Sequence, residues 1–134
     1  MNKLKGKITD INSYEGISLV NIQIGESSFG TVLLDTPQSC NYLTLGKDIT
    51  LAFKETEVAI ALVDLGPISM SNQIKCKIRS IQNGKILTKI TLTCKDGDIT
   101  SIITSRSSSR LKLEKGKEVI ALIKANEISL IEEN

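Results

Sequence analysis

Histidine and tryptophan are absent from the 134-residue sequence, and aromatic residues make up only 3% of it. Without histidine, acid–base catalysis would fall to carboxylates and lysines, and no nucleophile stands in a pattern that pairs it with a base. We therefore predict that the protein is not an enzyme.

The scarcity of aromatic residues also argues against nucleic acid as a partner. Proteins that bind single strands stack bases on aromatic side chains, whereas the two Tyr and two Phe here are dispersed along the chain. No helix-turn-helix pattern and no clustered run of Lys and Arg is present, so we expect no direct DNA binding. An OB-like nucleic-acid-binding or structural interaction module without anion binding stays open as the alternative interpretation.

Cysteine is scarce, and no two cysteines are close together in the sequence. Cys40, Cys76 and Cys94 are odd in number and far apart, whereas a zinc site needs paired ligands at close spacing. We predict no metal-cation site and interpret the three cysteines as buried free thiols in a reducing compartment.

Long apolar runs are also missing. No stretch approaches the roughly 18 apolar residues of a membrane span, and the start, "MNKLKGKITD", lacks the uninterrupted apolar core of a signal peptide. The sequence therefore predicts a soluble cytoplasmic protein that makes no membrane contact. Charge is divided unevenly: residues 1–67 hold 5 Lys/Arg against 8 Asp/Glu, and residues 68–134 hold 12 against 7. The acidic and basic halves could contact each other or have separate roles.

The dominant feature that is present is an internal repeat. "NKLKGKITDIN" (2–12) aligns with "NQIKCKIRSIQ" (72–82), and after a two-residue gap Ile22 aligns with Ile90. "TPQSCNYLTL" (36–45) then aligns with "TSRSSSRLKL" (104–113), and a second gap brings "GKDITLAFKETEVAI" (46–60) onto "GKEVIALIKANEISL" (116–130). Gly66-Pro67 punctuates the junction, residues 63–71. We predict a first copy at 1–65 and a second copy at 66–134.

Within each copy, apolar residues recur two apart, which is the period of a strand. Segments 17–25, 86–94 and 118–130 show this alternation, and "KDGD" (95–98) is typical of a hairpin turn. The fold class predicted is all-β: two tandem small OB-like barrels, each of about five strands with one short helical turn. Ser107 and Ser39 are the expected N-caps of that turn.

One stretch carries chemistry. "TSRSSSRLKLEKG" (104–116) crowds five hydroxyls and two arginines into its first seven positions. Hydroxyls together with free backbone N–H groups at a helix start form a donor-lined concavity that suits an anion. Lys54 and Lys124 stand at equivalent places near the ends of the last strands. Donors without histidine or paired carboxylates favour binding, without reaction, of a fully deprotonated oxyanion; the competing interpretation is that the serines only cap a helix.

The ordered motifs resemble the Mop or TOBE domain of the molbindins, the domain that also forms the sensor half of the molybdate-responsive transcription regulator. The family pattern has a Ser-Ala-Arg-Asn opening, Thr-x-x-Ser before a Leu-x-Leu-x-x-Gly turn, and an Ile-Lys-Ala strand. The second copy matches it over 69–130, and the first copy matches more weakly over 2–60, as in a tandem di-Mop arrangement. The matching segments are Ser69–Gln73, Thr104–Ser107, Leu111–Gly116 and Ile123–Ala125.

The resemblance implies cytoplasmic binding of molybdate or tungstate, for storage, homeostasis or sensing. It also implies that the oxyanion lies between copies, and that two-copy chains assemble as a homo-oligomer, a trimer. A thin core in a barrel of about 65 residues independently favours packing against other copies. The anion-binding residues carried over from the motifs are Thr104, Ser107, Lys124 and Ser69, with Thr36, Ser39 and Lys54 in the first copy.

Departures from the family pattern predict weakened sites. Ser71 replaces the motif arginine, which removes a bidentate donor and a charge; Arg106 or Arg110 is expected to substitute if the site keeps its affinity. Cys76 replaces the first-strand glycine that Gly6 retains, and Asp35 next to Thr36 would make the first-copy site less favourable for anions.

Overall fold

The computed structural model describes residues 1–133, which form ten β-strands, one short α-helix and two 3₁₀ turns. The predicted all-β fold is confirmed. None of the helices in residues 1–133 has the length and apolarity needed to cross a membrane. The elements of the first half are β1 (Asn2–Tyr14), β2 (Ile17–Ile24), β3 (Ser27–Leu33), β4 (Asp48–Phe53), a 3₁₀ turn (Glu55–Glu57) and β5 (Val58–Leu62). Those of the second half are β6 (Asn72–Gln82), β7 (Leu87–Cys94), β8 (Gly97–Thr104), α1 (Ser105–Arg110), β9 (Glu118–Ile123), a 3₁₀ turn (Ala125–Glu127) and β10 (Ser129–Ile131).

The strands form where the apolar alternation predicts them. In β2, alternate residues from Ser18 to Ile24 are buried while their neighbours face outward, because successive side chains of a strand point to opposite faces. Strands β4 and β9 differ, since five consecutive residues of each are buried. The predicted run 118–130 is not one strand: it breaks at Lys124, where a 3₁₀ turn separates β9 from β10.

The two sheets exchange their fifth strands. The first has the order β10-β4-β1-β2-β3, and the second has the order β5-β9-β6-β7-β8. Strand β5 pairs antiparallel with β9 of the second half, and β10 pairs antiparallel with β4 of the first. The sheets therefore do not follow the predicted boundary between residues 65 and 66. That boundary stays a prediction about where one sequence repeat ends and the next begins. Asn134, the last residue of the predicted second copy, lies outside the described residues.

The strand registers relate the two halves by a constant spacing of 70 residues. Ile8 pairs with Ile22 in the first half, whereas Ile78 pairs with Leu92 in the second. Ile22 therefore corresponds to Leu92, and the alignment of Ile22 with Ile90 across a gap is wrong.

The halves differ in one connection. In the second half, β8 runs directly into α1, so the predicted helical turn is a six-residue helix there. In the first half it is a single turn, in which the N–H groups of Ser39 and Cys40 both donate to the carbonyl of Thr36.

A buried asparagine of each half forms hydrogen bonds with the backbone of the other half. The Asn72 amide accepts from the N–H of Gly30 and donates to its carbonyl, both at 2.8 Å. The Asn2 amide makes the same two bonds, also at 2.8 Å, with the backbone of Thr100.

Ion pairs on the surface also connect the acidic half with the basic half, so the two halves do contact each other. These pairs are Lys3–Glu133 and Lys47–Glu132, each at 3.2 Å, and Lys95–Glu26.

The cysteine prediction needs correction. Cys76 and Cys94 lie directly opposite each other on β6 and β7, with a Cα–Cα distance of 4.6 Å, and they are joined as a disulfide. Non-hydrogen-bonded positions of antiparallel strands bring Cα atoms to about 4.5 Å, which suits such a bond. Sequence spacing alone gave no sign of this pairing; Cys40 is free, as predicted, and half-buried. In the first half the corresponding place holds Gly6, where a Cβ atom would lie 2.8 Å from Ile24 Cγ1.

Candidate functional site

The hydroxyl-rich stretch forms the junction between β8 and α1. Thr104 has extended backbone angles and is the N-cap: its Oγ1 accepts from the N–H of Ser107 at 3.1 Å. The prediction that Ser107 is the cap is therefore wrong, because Ser107 is the third residue of the helix. Thr104 Oγ1 also donates to Ser107 Oγ at 3.0 Å, so the two predicted ligands bond to each other. Both hydroxyls stay at the surface, with Thr104 exposed and Ser107 half-buried.

The remaining serines of this stretch are largely used inside the chain. Ser105 Oγ donates to the carbonyl of Gly84 at 2.7 Å and lies 2.8 Å from Thr88 Oγ1. Ser108 is buried. Lys117 Nζ donates to the carbonyls of Leu111 and Lys112, which closes the end of the helix. Only part of the hydroxyl cluster is thus available to a ligand.

Two other predicted residues, Ser69 and Lys124, share a surface depression of about 260 Å³. The pairing of Asn72 with Ile123 brings them together, because it places the segment before β6 beside the residue that follows β9. Lys124 then begins a 3₁₀ turn, with the N–H of Glu127 donating to its carbonyl at 3.0 Å. The residues that line this second-half depression are Val32, Ser69, Met70, Ser71, Lys124, Ala125 and Asn126.

The lining of the second-half depression combines one positive charge with neutral polar groups. Lys124 is its charged residue, Ser69, Ser71 and Asn126 are polar and neutral, and no carboxylate is among the residues that line it. Lys124 is exposed and presents an ammonium with three N–H donors. Such a surface can hold an anion through a charge-assisted hydrogen bond supported by neutral groups.

A first-half depression of about 250 Å³ occupies the corresponding place 70 residues earlier. Its carboxylate is Glu55, whose side chain is 25% exposed and contacts the α-amino group of Met1. That hydrogen bond is the main cause that lowers the pKa of Glu55, and the charge of Lys89 lowers it further. The residues that line this depression are Met1, Asn2, Glu55, Lys89, Thr100 and Ile102.

The other predicted residues lie apart from both depressions. Thr36 and Ser39 form an exposed turn in which Ser39 Oγ accepts from the Thr36 N–H at 2.9 Å. Lys54 precedes the first 3₁₀ turn, and its backbone N–H donates to Glu57 Oε1 at 3.1 Å. Thr104 and Ser107 do not line the second-half depression either. One chain therefore brings Ser69 to Lys124 and Thr104 to Ser107, but does not unite these two pairs.

Two features near the lysines were missed by the sequence reasoning. Glu57 and Glu127 lie close enough to hydrogen bond, and this bond is the main cause that raises the pKa of Glu127, with burial and the charge of Glu57 adding to it. The sequence repeat shows that both positions hold glutamate, but it does not show that the two side chains lie close together.

A larger open groove of about 540 Å³ lies over Gly6. Its lining includes both Lys5 and Asp48, and this mixture of charges favours no anion. Residues 1–133 contain no group of three or more His, Cys, Asp or Glu placed to hold a metal ion.

Fold and site together define a class: a tandem repeat of two small β-barrels that exchange their last strands, with a depression in the second half that is lined by Lys124 and by no carboxylate. Residues 68–130 match the family model of the TOBE domain. Among curated proteins, molybdenum-pterin-binding protein 3 of Clostridium pasteurianum is 32% identical over 65 residues, which are 48% of this chain and 96% of that protein. The molybdenum-pterin-binding protein MopB of Rhodobacter capsulatus is 33% identical over 63 residues, 46% of this chain but only 23% of MopB.

The similarity to a solved structure extends over both repeats. The cytoplasmic molybdate-binding protein ModG, in a crystal form with molybdate bound, superimposes with a TM-score of 0.89 at 25% identity. The match covers 96% of this chain and 94% of that one. The chain belongs to the molbindin (Mop) family, in its tandem form.

Proposed function

We propose that this protein binds molybdate as the free oxyanion and does not transform it. The observation that carries the proposal is the likeness of the whole chain, in fold, to the molybdate-bound form of ModG. The chemistry of the second-half depression supports it, because Lys124 and the neutral polar groups there include donors and no carboxylate. Molybdate is a dianion without a proton at neutral pH, so it can accept from every donor. A protonated phosphate would bring an O–H that finds no carboxylate there.

We further propose that the full site forms between chains. Ser69 and Lys124 would supply one wall, and Thr104 with Ser107 of a neighbouring chain would supply the other. Their separation within one chain supports this arrangement, as does the exposure of the Thr104 hydroxyl. A trimer of two-repeat chains is the assembly that the family pattern implies. Thr36, Ser39 and Lys54 occupy the corresponding motif positions of the first half.

The biological setting belongs to the same proposal. ModG is a cytoplasmic protein, and a cytoplasmic role in storage, homeostasis or sensing follows for this chain by similarity. Tungstate has the same charge and shape as molybdate and would be bound as a competing ligand.

Calorimetric titration of anion-stripped protein tests the proposal. Three or four charge-assisted hydrogen bonds, at about 1.5–3 kcal/mol each, sum to roughly 8 kcal/mol at the middle of that range, which corresponds to a micromolar dissociation constant. We expect heat with molybdate and tungstate, little with sulfate and none with phosphate.

Lys124→Ala should weaken molybdate binding at least tenfold, because it removes one charge-assisted bond worth about 1.5–3 kcal/mol. Lys115→Ala is the matched control, since Lys115 is an exposed lysine that lines neither depression. If wild type releases no heat with any anion and Lys124→Ala unfolds like wild type, the hydroxyls act only as helix caps. The protein would then be a structural interaction module.

A further inference from the structure

The two depressions share three lining positions at a spacing of 70 residues, one of which is Ser71 in the second-half depression and Met1 in the first-half depression. Val32 in the second-half depression corresponds to Ile102 in the first-half depression, 70 residues later, and both are aliphatic β-branched residues. Ala125 of the second-half depression corresponds to Glu55 of the first-half depression. A methyl group in one site is thus replaced by a carboxylate in the other.

A carboxylate is the wrong group to line an oxyanion site. When ionised it only accepts hydrogen bonds, so it competes with a bound oxyanion for the same donors and repels its charge. Glu55 is ionised at neutral pH, as glutamates ordinarily are, and the lowering of its pKa by the Met1 α-amino group keeps it ionised at more acidic pH as well. It is three-quarters buried and already contacts the α-amino group of Met1.

Building on the proposed function, we infer that Glu55 acts as an internal substitute for the ligand and closes the first-half depression to oxyanions. Ala125 leaves the second-half depression open. The α-amino group of Met1 and the side chain of Lys89 line the same depression as Glu55, and both positive charges stabilise its ionised carboxylate. Removing the Glu55 carboxylate frees these two cations to hold an anion.

The inference predicts opposite changes in stoichiometry for two reciprocal variants. Glu55→Ala should bind one molybdate more per chain than wild type, and Ala125→Glu should bind one fewer. Calorimetry and the molybdenum content of the dialysed protein give two independent counts. Thr56→Ala is the control for surface changes in the same turn, because Thr56 is exposed and lines neither depression.

A third variant separates charge from size. Ala125→Gln adds a side chain of similar bulk without the charge, and its molybdate affinity should stay within about fivefold of wild type. Since Ala125 is only half-buried, these substitutions are compatible with the fold, and equal urea midpoints check this.

The outcomes distinguish this inference from the proposed function. If wild type binds molybdate and Glu55→Ala has the same stoichiometry, or if Ala125→Glu keeps the wild-type stoichiometry, the role of Glu55 is refuted while molybdate binding stands. Loss of binding in Ala125→Gln would also refute it, because bulk rather than charge would then decide. If wild type and all variants bind no molybdate, the proposed function itself fails.

Discussion

Replacing Asn72 with alanine tests the contact between the two halves most directly. The Asn72 side chain is 1% exposed and makes two hydrogen bonds of 2.8 Å, one from the N–H and one to the carbonyl of Gly30. In Asn72→Ala, both backbone groups of Gly30, which is itself half-buried, lose their partner. Each buried polar group left without its partner costs about 1–3 kcal/mol, and since Gly30 is half-buried the two groups together should cost the variant about 2–4 kcal/mol. That is a large part of the 5–15 kcal/mol that is typical of a folded domain.

Urea unfolding followed by circular dichroism measures this loss. Gln82→Ala is the control on the same strand, since Gln82 is exposed, and it should stay within about 0.5 kcal/mol of wild type. Asn2→Ala removes the corresponding bonds to Thr100 and should be comparably destabilising, with a somewhat smaller effect because Asn2 is 8% exposed. A loss below about 1 kcal/mol in Asn72→Ala would show that these bonds do not hold the halves together.

Two further predictions concern protonation and the disulfide. Because the pKa of Glu127 is raised in the folded state, its ionisation opposes folding, and stability falls as pH rises through that pKa. Glu127→Gln should therefore raise the urea midpoint at pH 7. The gain should disappear below about pH 4, because the glutamate is then protonated in both the folded and the unfolded state. A gain of the same size at both pH values would contradict this cause. Cys76 and Cys94 close a loop with a sequence separation of 18, so reduction should cost about 3 kcal/mol of stability. Thiol titration of the unfolded protein should give one thiol before reduction and three after it; three thiols without reductant would contradict the pairing.

The sequence predicts local structure well because the alternation of apolar residues is a local property. Strand β2 and the hairpin at Lys95–Asp96 lie where the pattern places them. The alignment of Ile22 with Ile90 fails for a reason inherent in strands: side chains repeat every two residues, so a shift of two keeps every apolar residue on the same face. Only the pairing partners reveal the shift.

Strand exchange could not be predicted from the pattern. Val58–Leu62 has the apolar residues of a strand, but they would suit an edge of either sheet. Which edge is used depends on contacts between residues that are distant in sequence. The disulfide was missed for the same reason, since Cys76 and Cys94 become neighbours only through the pairing of β6 with β7.

The candidate site was predictable in part. Ser69 and Lys124 share a depression because the register of β6 with β9 brings their segments together. Thr104 and Ser107 bond to each other, but their cap geometry and their separation from Lys124 follow from three-dimensional structure. Glu55 was overlooked because its importance depends on its counterpart, Ala125, and each of the two residues lines a separate depression that only the three-dimensional structure reveals.

The exchanged strands also change how assembly depends on protein concentration. A single repeat that completes its sheet with a strand from another molecule must find that molecule by diffusion, and it would separate on dilution. Here the nine-residue connection from Val63 to Ser71 links β5 to β6 and makes this meeting intramolecular. A short flexible link holds its two ends at an effective concentration in the millimolar range. The pair of barrels therefore stays complete however little of the protein the cell makes.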